Sequence, residues 1–378
     1  MAQRTSNRRE RGVVLLLVLW VFMTLGVLAL DFASYMRDDA TATVNLSDET
    51  RSYYVALAGM NRALYENTRD RQKNLGQPVQ PLDPNDPDVD TDGDGKPDRT
   101  VYRPDGEWHE GTFAGARFAV RMAGEDGKIP LNIELGDDLD EYTELVRFVV
   151  TNLVRGGNKT TGVDKDTDKQ ISTIVDSILD WRDCDDEARL NGAESAYYSG
   201  LPRPYAAKNG FFESADELMR IRGVTPDVFF GHDGLPGLVD IFSPYPRGEA
   251  LVINAGQITA QAVRALVPGM TLAEAEALLA ERDDDPEAIK VRLSQELDLA
   301  VPGLGSRVAI VEPKYVRVEA RADLGQPRNQ ADVMAIVELA GTDFEEPVIH
   351  SWLDRAPLGD DGPGVSPAQE GERKAGRS

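Results

Sequence analysis

The chain has 378 residues, enough for two or more folded units, and a formal net charge of -24 at pH 7. A protein this acidic repels phosphate backbones, so nucleic acid is not expected as a partner. Its single cysteine, Cys184, excludes an intramolecular disulfide and a multi-cysteine zinc site. The three histidines share no ligand spacing. Zinc, haem and thiol redox chemistry are therefore not expected.

The N-terminus has the pattern of a membrane anchor. Residues 1–12 are polar and basic, and residues 13–30 are an uninterrupted apolar run, long enough to cross a bilayer at about 1.5 Å per residue. Arginines before the run and Asp31 after it place the N-terminus in the cytoplasm and the bulk of the chain in the periplasm. A cleaved signal peptide is the alternative. Its apolar core would be shorter and would end at a small-x-small site, which Leu28–Asp31 does not offer.

An amphipathic pattern continues beyond the apolar run. Apolar residues recur at steps of three, four and seven, which places them on one helix face: Leu46, Tyr53, Leu57, Met60 and Leu64. No proline interrupts the chain from Val13 to Leu75. The sequence therefore predicts one long helix over residues 13–72.

This layout resembles the type IV pilin and pseudopilin class. In that class a prepilin peptidase cuts after a glycine and the new N-terminus is methylated, which here implies cleavage after Gly12 and a mature chain from Val13. Most members carry glutamate at the fifth mature position, where this chain has Leu17. A glutamate in hydrocarbon needs a partner, and in the class it pairs with the amine of the subunit ahead. A subunit without it needs no neighbour ahead, as in the K-type minor pseudopilins of type II secretion.

A short Asp-rich loop follows the helix. Carboxylates stand at relative positions one, three, five and nine, with Gly95 at position six for the turn: Asp90, Asp92, Asp94 and Asp98. This matches the first part of an EF-hand-type calcium loop. The glutamate expected at position twelve is replaced by Val101, which indicates a shorter site. A structural calcium ion is predicted here, and an acidic linker without an ion is the alternative.

Alternating segments predict one antiparallel sheet packed on the long helix. They lie at residues 101–102, 112–121, 315–322 and 332–339, with a large insertion between the second and third. The fold class is therefore α+β, with an all-α domain inserted between strands. The predicted units are a basic leader (1–12), the N-terminal helix (13–72), a pilin-like β segment with the Asp-rich loop (73–128), the inserted domain (129–310), closing strands (311–350) and a flexible tail (351–378).

A second acidic cluster lies inside the insertion. A predicted helix over about 170–182 ends with Asp180 and Asp183 one turn apart, and the following loop brings Asp185 and Glu194 back. Converging carboxylates need a cation to offset their repulsion. The stretch also resembles the D-W-x-D-x-D segment of the K family, whose helical domain binds calcium, so these four residues are candidate ligands. A solvated acidic loop and a general acid–base pair are the alternatives.

Two helix–glycine–helix patterns, at Gly223 and Gly269, are similar to helix-hairpin-helix modules. A membrane-tethered DNA receptor of the competence type is therefore one alternative, and a type IV pilus minor pilin or a calcium-dependent binding module are others. Glutamates and aspartates around the second turn disfavour DNA. The resemblance implies a non-enzymatic subunit that initiates and caps the pseudopilus with minor pseudopilins I and J, at the inner-membrane secretion assembly.

Processing provides the first test. Gly12→Ala is expected to leave the leader attached, because the peptidase of this class cuts after that glycine. The measurement is the mass of the chain recovered from membranes of cells that contain the peptidase. Normal maturation of the variant would contradict the pseudopilin assignment, since a plain anchored module does not depend on Gly12.

Overall fold

The computed structural model describes residues 8–73, 102–134, 136, 139–155, 165–232, 234–282, 285–324, 330–339 and 346–354. The Asp-rich loop, with Asp90, Asp92, Asp94 and Asp98, lies outside these residues, as does the part of the predicted tail (351–378) that follows Asp354. The roles predicted for them stay predictions.

The chain begins with one continuous helix, α1, from Arg8 to Lys73. At 1.5 Å per residue it is about 100 Å long. Its apolar first half is exposed, and it is long and apolar enough to cross a membrane. Its second half buries Val55, Met60 and Ala63. Each large apolar side chain buried in this way contributes about 1.5–3 kcal/mol.

Nine strands follow in the described part of the chain. They are β1 (Asp105–Phe113), β2 (Ala116–Gly124), β3 (Ile129–Ile133), β4 (Phe242–Glu249), β5 (Ile253–Asn254), β6 (Val308–Ala309), β7 (Tyr315–Asp323), β8 (Gln330–Glu338) and β9 (Val348–Asp354).

The remaining described helices lie between β3 and β6. They are α2 (Leu139–Val154), α3 (Lys165–Arg182), α4 (Ser195–Tyr198), α5 (Pro226–Phe230), α6 (Leu238–Ile241), α7 (Ala260–Leu266), α8 (Leu272–Arg282) and α9 (Pro286–Ala300). Short 3-10 segments occupy Glu125–Gly127, Ala215–Arg220 and Leu304–Arg307.

Five strands form an antiparallel sheet in the order β1-β2-β7-β8-β9. The long helix packs on one face of this sheet, against β2, β7 and β8. The contact is close, because a Cβ at Gly59 would overlap the Phe118 ring. The predicted α+β class, a long helix on an antiparallel sheet with a helical insertion, is confirmed.

The sheet differs from the prediction at three places. Residues 101–102 were expected to form a strand, but Tyr102 lies outside β1, which begins at Asp105, and Val101 lies outside the described residues. Residues 112–121 were expected to form one strand, but β1 ends at Phe113 and β2 begins at Ala116. Both turn residues have positive φ, 50° at Ala114 and 77° at Gly115, the conformation of a two-residue hairpin. At the other end, β9 runs to Asp354 and so extends past the boundary expected at 350.

The insertion has its own core, separate from the one under α1. Helices α2 and α3 pack together, α7 packs on α2, and α8 and α9 pack on α7 and on each other. Two short parallel ladders, β3 with β4 and β5 with β6, also lie within it. The expected all-α insertion therefore contains two small β pairs. Both join segments distant in sequence, and alternation within a single short segment does not reveal such pairing.

A buried acidic turn joins the insertion to the sheet. The Asp126 carboxylate accepts hydrogen bonds from the backbone N–H groups of Lys314 (2.7 Å) and Tyr315 (3.0 Å). Burial raises the pKa of Asp126 to about 6, and the carboxylates of Glu125 and Glu249 add to the shift, while the two backbone donors oppose it.

This shift predicts a pH dependence of stability. Because the pKa of Asp126 is higher in the folded chain than its ordinary 3.8, its proton stabilises the fold. This contribution to the free energy of unfolding is at most about 3 kcal/mol. It is fully present below about pH 3.8 and is lost as pH rises through 6. Asp126→Asn should remove this pH-dependent contribution to stability. The measurement is thermal unfolding of the full chain in non-ionic detergent between pH 4 and 7. The exposed Glu276→Gln is the control. A wild-type pH profile in Asp126→Asn would contradict the assignment.

Candidate metal centre

The candidate site is built on the C-terminal end of α3. One face of this helix buries Ile171, Ile174 and Ile178 in the core of the insertion. The same packing carries Asp180 into the interior, where it is 0% exposed. Asp183 lies one turn further on, and its N–H donates to Leu179 O at 3.0 Å. The helix thus delivers two carboxylates to the start of the loop 183–194, which we call the acidic loop.

Arg189 of the acidic loop folds back onto this helix end. Its Nη1 lies 2.6 Å from Asp180 Oδ1 and 2.6 Å from Asp183 Oδ2. Its backbone N–H also donates to the Asp180 carboxylate, at 3.2–3.3 Å. A Cβ at Gly192 would overlap Asp180 Oδ2. Glycine at 192 therefore lets the loop close over the buried carboxylate.

Three carboxylates of the acidic loop, that of Asp183 among them, converge on one another. One ligand atom from each of Asp183, Asp185 and Glu194 lies within 4.8 Å of the others. Glu194 is only 3% exposed, and neither of its carboxylate oxygens has a hydrogen-bond partner; Asp183 Oδ1 is likewise buried and unpaired. Buried carboxylate oxygens without partners are costly, so this arrangement favours a bound cation.

The electrostatics of the cluster agree with its geometry. Burial, together with the nearby carboxylates of Asp180 and Asp183, raises the pKa of Glu194 to about 7. Burial also raises the pKa of Asp183, against the opposing effect of the Arg189 guanidinium. A cation beside these groups would favour their charged forms and reverse both effects.

The donor set fits a hard divalent cation. Carboxylate oxygens are the ligands that calcium prefers, and it takes six to eight oxygens in a flexible shell. The three carboxylates could supply part of that shell, and Asp185 is exposed to solvent. Within the described residues, this is the group of His, Cys, Asp and Glu side chains that meets the geometry of a metal site.

The rigid surroundings hold Glu194 in place. Glu194 directly precedes α4, whose Tyr198 is buried and contacts Trp181 edge-on, with ring centroids 5.3 Å apart. On the other side, Asn191 donates to Asp176 Oδ2 through both its backbone N–H and its Nδ2. The loop is therefore anchored to α3 at several points.

The structure places the predicted site residues in three groups. Asp183, Asp185 and Glu194 come together, whereas both Asp180 oxygens are engaged by Arg189. Gly12 and Val13 lie within α1, and Leu17 is 59% exposed on the same helix. Sequence reasoning missed Arg189, and the odd basic residue inside an acidic loop is the signal that could have found it.

The two glycine turns have different surroundings. Gly223 and Gly269 both have positive φ, 88° and 85°. Beside the Gly223 turn, the Arg222 side chain makes two contacts within the fold. Its Nη1 donates to Gly192 O, and its guanidinium stacks on the Tyr197 ring. Beside the second, the exposed acidic side chains of α8 are Glu274, Glu276 and Glu281. The exposed carboxylates beside the second turn disfavour binding of a phosphate backbone there.

The sequence is similar to known proteins of one family. Residues 159–230 match the family model for type II secretion system (T2SS) protein K. Type II secretion system protein K of Aeromonas hydrophila is 25% identical over 337 residues, 85% of this chain and 92% of that protein. A putative type II secretion system protein K of Escherichia coli (strain K12) is 25% identical over 289 residues, 73% and 76% of the two chains.

A solved chain from the crystal structure of the GspK-GspI-GspJ complex of enterotoxigenic Escherichia coli is also similar. Its TM-score is 0.46 at 11% identity, covering 84% of this chain and 98% of that chain. A long helix on an antiparallel sheet, with a helical insertion that carries the acidic loop, defines a pilin-like class. Within that class, the predicted resemblance to type II secretion system protein K is confirmed, and the family match includes the acidic loop.

The close packing at Gly192 can be tested directly. Gly192→Ala should displace Asp180 from Arg189 and leave a buried charge poorly paired, at a cost of about 3 kcal/mol. The measurement is the free energy of unfolding of the full chain in detergent. Gly210→Ala is the matched control, because a Cβ there meets only Lys208 O at 3.8 Å. Equal stability of the two variants would contradict the described geometry.

Proposed function

We propose that this protein is the minor pseudopilin that initiates and caps the pseudopilus of a type II secretion system, and so supports export of folded proteins across the outer membrane. The observation that carries the proposal is the similarity to protein K over 85% of the chain. The role is structural, and the energy for assembly comes from a separate ATPase.

The exposed half of α1 supports assembly through this helix. Large apolar side chains are exposed all around it from Val14 to Leu30, with Leu15, Phe22 and Leu30 each about 70% exposed. Such a surface is stable in a bilayer or among other apolar helices, but not in water. The helix therefore anchors the chain in the inner membrane, with the folded part in the periplasm, until it packs against other subunits.

The position of Leu17 supports a place at the tip. An apolar residue there makes no demand for a neighbour's N-terminal amine, whereas a glutamate in hydrocarbon would need one. We therefore place this subunit first, with minor pseudopilins I and J beneath it, after prepilin peptidase has cut behind Gly12 and the amine of Val13 is methylated. The bulk of the insertion would then prevent addition of a further subunit above.

We also propose that the acidic loop holds a structural calcium ion through Asp183, Asp185 and Glu194. The unpaired oxygens of Glu194 and Asp183 support this proposal. The Asp-rich loop, with Asp90, Asp92, Asp94 and Asp98, is proposed as a second calcium site. An ion in the acidic loop would fix the return of the chain from α3 to α4, which gives calcium a role in folding and none in catalysis.

Co-purification from membranes tests the proposed assembly. The full chain, co-expressed with I, J and the peptidase, is extracted in detergent, and complex mass is measured by size-exclusion chromatography with light scattering. A discrete three-way complex is expected in calcium. Failure of I and J to associate with the processed chain in calcium would contradict the tip role.

The same assay tests the calcium site. Glu194→Gln removes a ligand charge and should lower the yield of the complex to that of wild type in chelator. Glu187→Gln is the matched control, because Glu187 is exposed in the same loop and does not belong to the three-carboxylate group. A wild-type yield in Glu194→Gln, or an equal loss in both variants, would contradict the proposed site.

A further inference from the structure

The acidic loop already contains a cation of its own, the Arg189 guanidinium. We propose that Arg189 is a permanent counter-cation of this site: it withdraws Asp180 from the ligand set and positions Asp183, so that an ion is held by Asp183, Asp185 and Glu194. This inference rests on the calcium site proposed above and defines which carboxylates serve as ligands and which one supports them.

Asp180 has no side open to an ion. Its Oδ1 accepts from Arg189 Nη1 at 2.6 Å, and both oxygens accept from the Arg189 backbone N–H. Its Oδ2 lies against Gly192, at a position that even a Cβ would overlap. Calcium approaches its ligands to 2.3–2.6 Å. The space around this fully buried carboxylate is thus taken by the arginine and by the loop backbone.

The two carboxylate oxygens of Asp183 have different surroundings. Its Oδ2 is bonded to Arg189 Nη1 at 2.6 Å, while its Oδ1 is buried without a partner. A carboxylate fixed through one oxygen presents the other in a defined direction. Hydrogen bonds to the ligand carboxylates do the same in known metal sites, where their loss typically lowers affinity 10- to 100-fold. Arg189 is therefore a positioning residue for the ion.

Charge favours the same assignment. A guanidinium stays protonated at any physiological pH, so Arg189 permanently offsets the charge of Asp180. The three carboxylates that remain suit a divalent cation. The competing possibility is that Arg189 occupies the ion's place and leaves when the ion binds. Departure of the guanidinium would leave the fully buried Asp180 without its ion-pair partner, which is costly and argues against it. The two possibilities predict opposite changes in affinity.

Calcium affinity of the full chain in detergent, measured by isothermal titration calorimetry after chelator treatment, decides between them. Arg189→Met should weaken calcium binding 10- to 100-fold, and Arg189→Lys should recover part of the loss because it keeps the charge. Asp185→Asn should weaken binding more than Asp180→Asn. The control is Arg203→Met, which removes an exposed arginine that follows the acidic loop in sequence. Equal or tighter binding by Arg189→Met would overturn the positioning role.

Stability in chelator provides a readout that does not depend on the ion. Arg189→Met and Asp180→Asn should each lower the melting temperature, and the double variant should lose much less than the sum, because the two groups form one buried pair. Additive losses would overturn the pairing. If wild type takes up no calcium while the double variant shows coupling, the calcium site fails and the Arg189–Asp180 pair stands.

Discussion

The pairing of β2 with β7 is the constraint on which the rest of the structure depends. It runs antiparallel from the Arg117–Asp323 pair to the Gly124–Val316 pair and so joins segments about 200 residues apart. With this ladder closed, the sheet presents one continuous apolar face to α1. The two ends of the insertion must also meet at one edge, where Asp126 binds the backbone of Lys314 and Tyr315. Helix packing, sheet order and placement of the insertion all follow from this one long-range contact.

The candidate metal centre depends on a similar return of the chain over a shorter distance. Burial of α3 carries Asp180 into the core, and the loop must then come back over it with an arginine and a glycine. What remains on the outer side is a group of carboxylates with unpaired oxygens, which is unfavourable without a cation. Binding of the proposed ion would therefore be coupled to local folding, because an ion held by these carboxylates would stabilise only the closed form of the loop.

Much of this architecture could be predicted from the sequence. The apolar run and its amphipathic continuation indicate α1, because a 3.6-residue period is a local signal. The pattern of residues 170–182 similarly corresponds to α3, and the spacing of Asp180 and Asp183 places both at a helix end. The hairpin at Ala114 and Gly115 was missed because a short turn interrupts the alternation only briefly. The bridge made by Arg189 depends on where the loop returns in space, which no local period encodes.

The most direct test of the account is the position of this subunit in an assembled pseudopilus. Cys184 is the single cysteine of the chain and lies between two proposed ligands, so it is replaced by Cys184→Ser. A maleimide-linked gold particle then marks the cysteine of Leu299→Cys, at an exposed position on α9, in filaments whose other subunits lack cysteine. Electron microscopy then locates the label. The account predicts one particle per filament, at one end. Particles distributed along the filament would contradict a tip subunit.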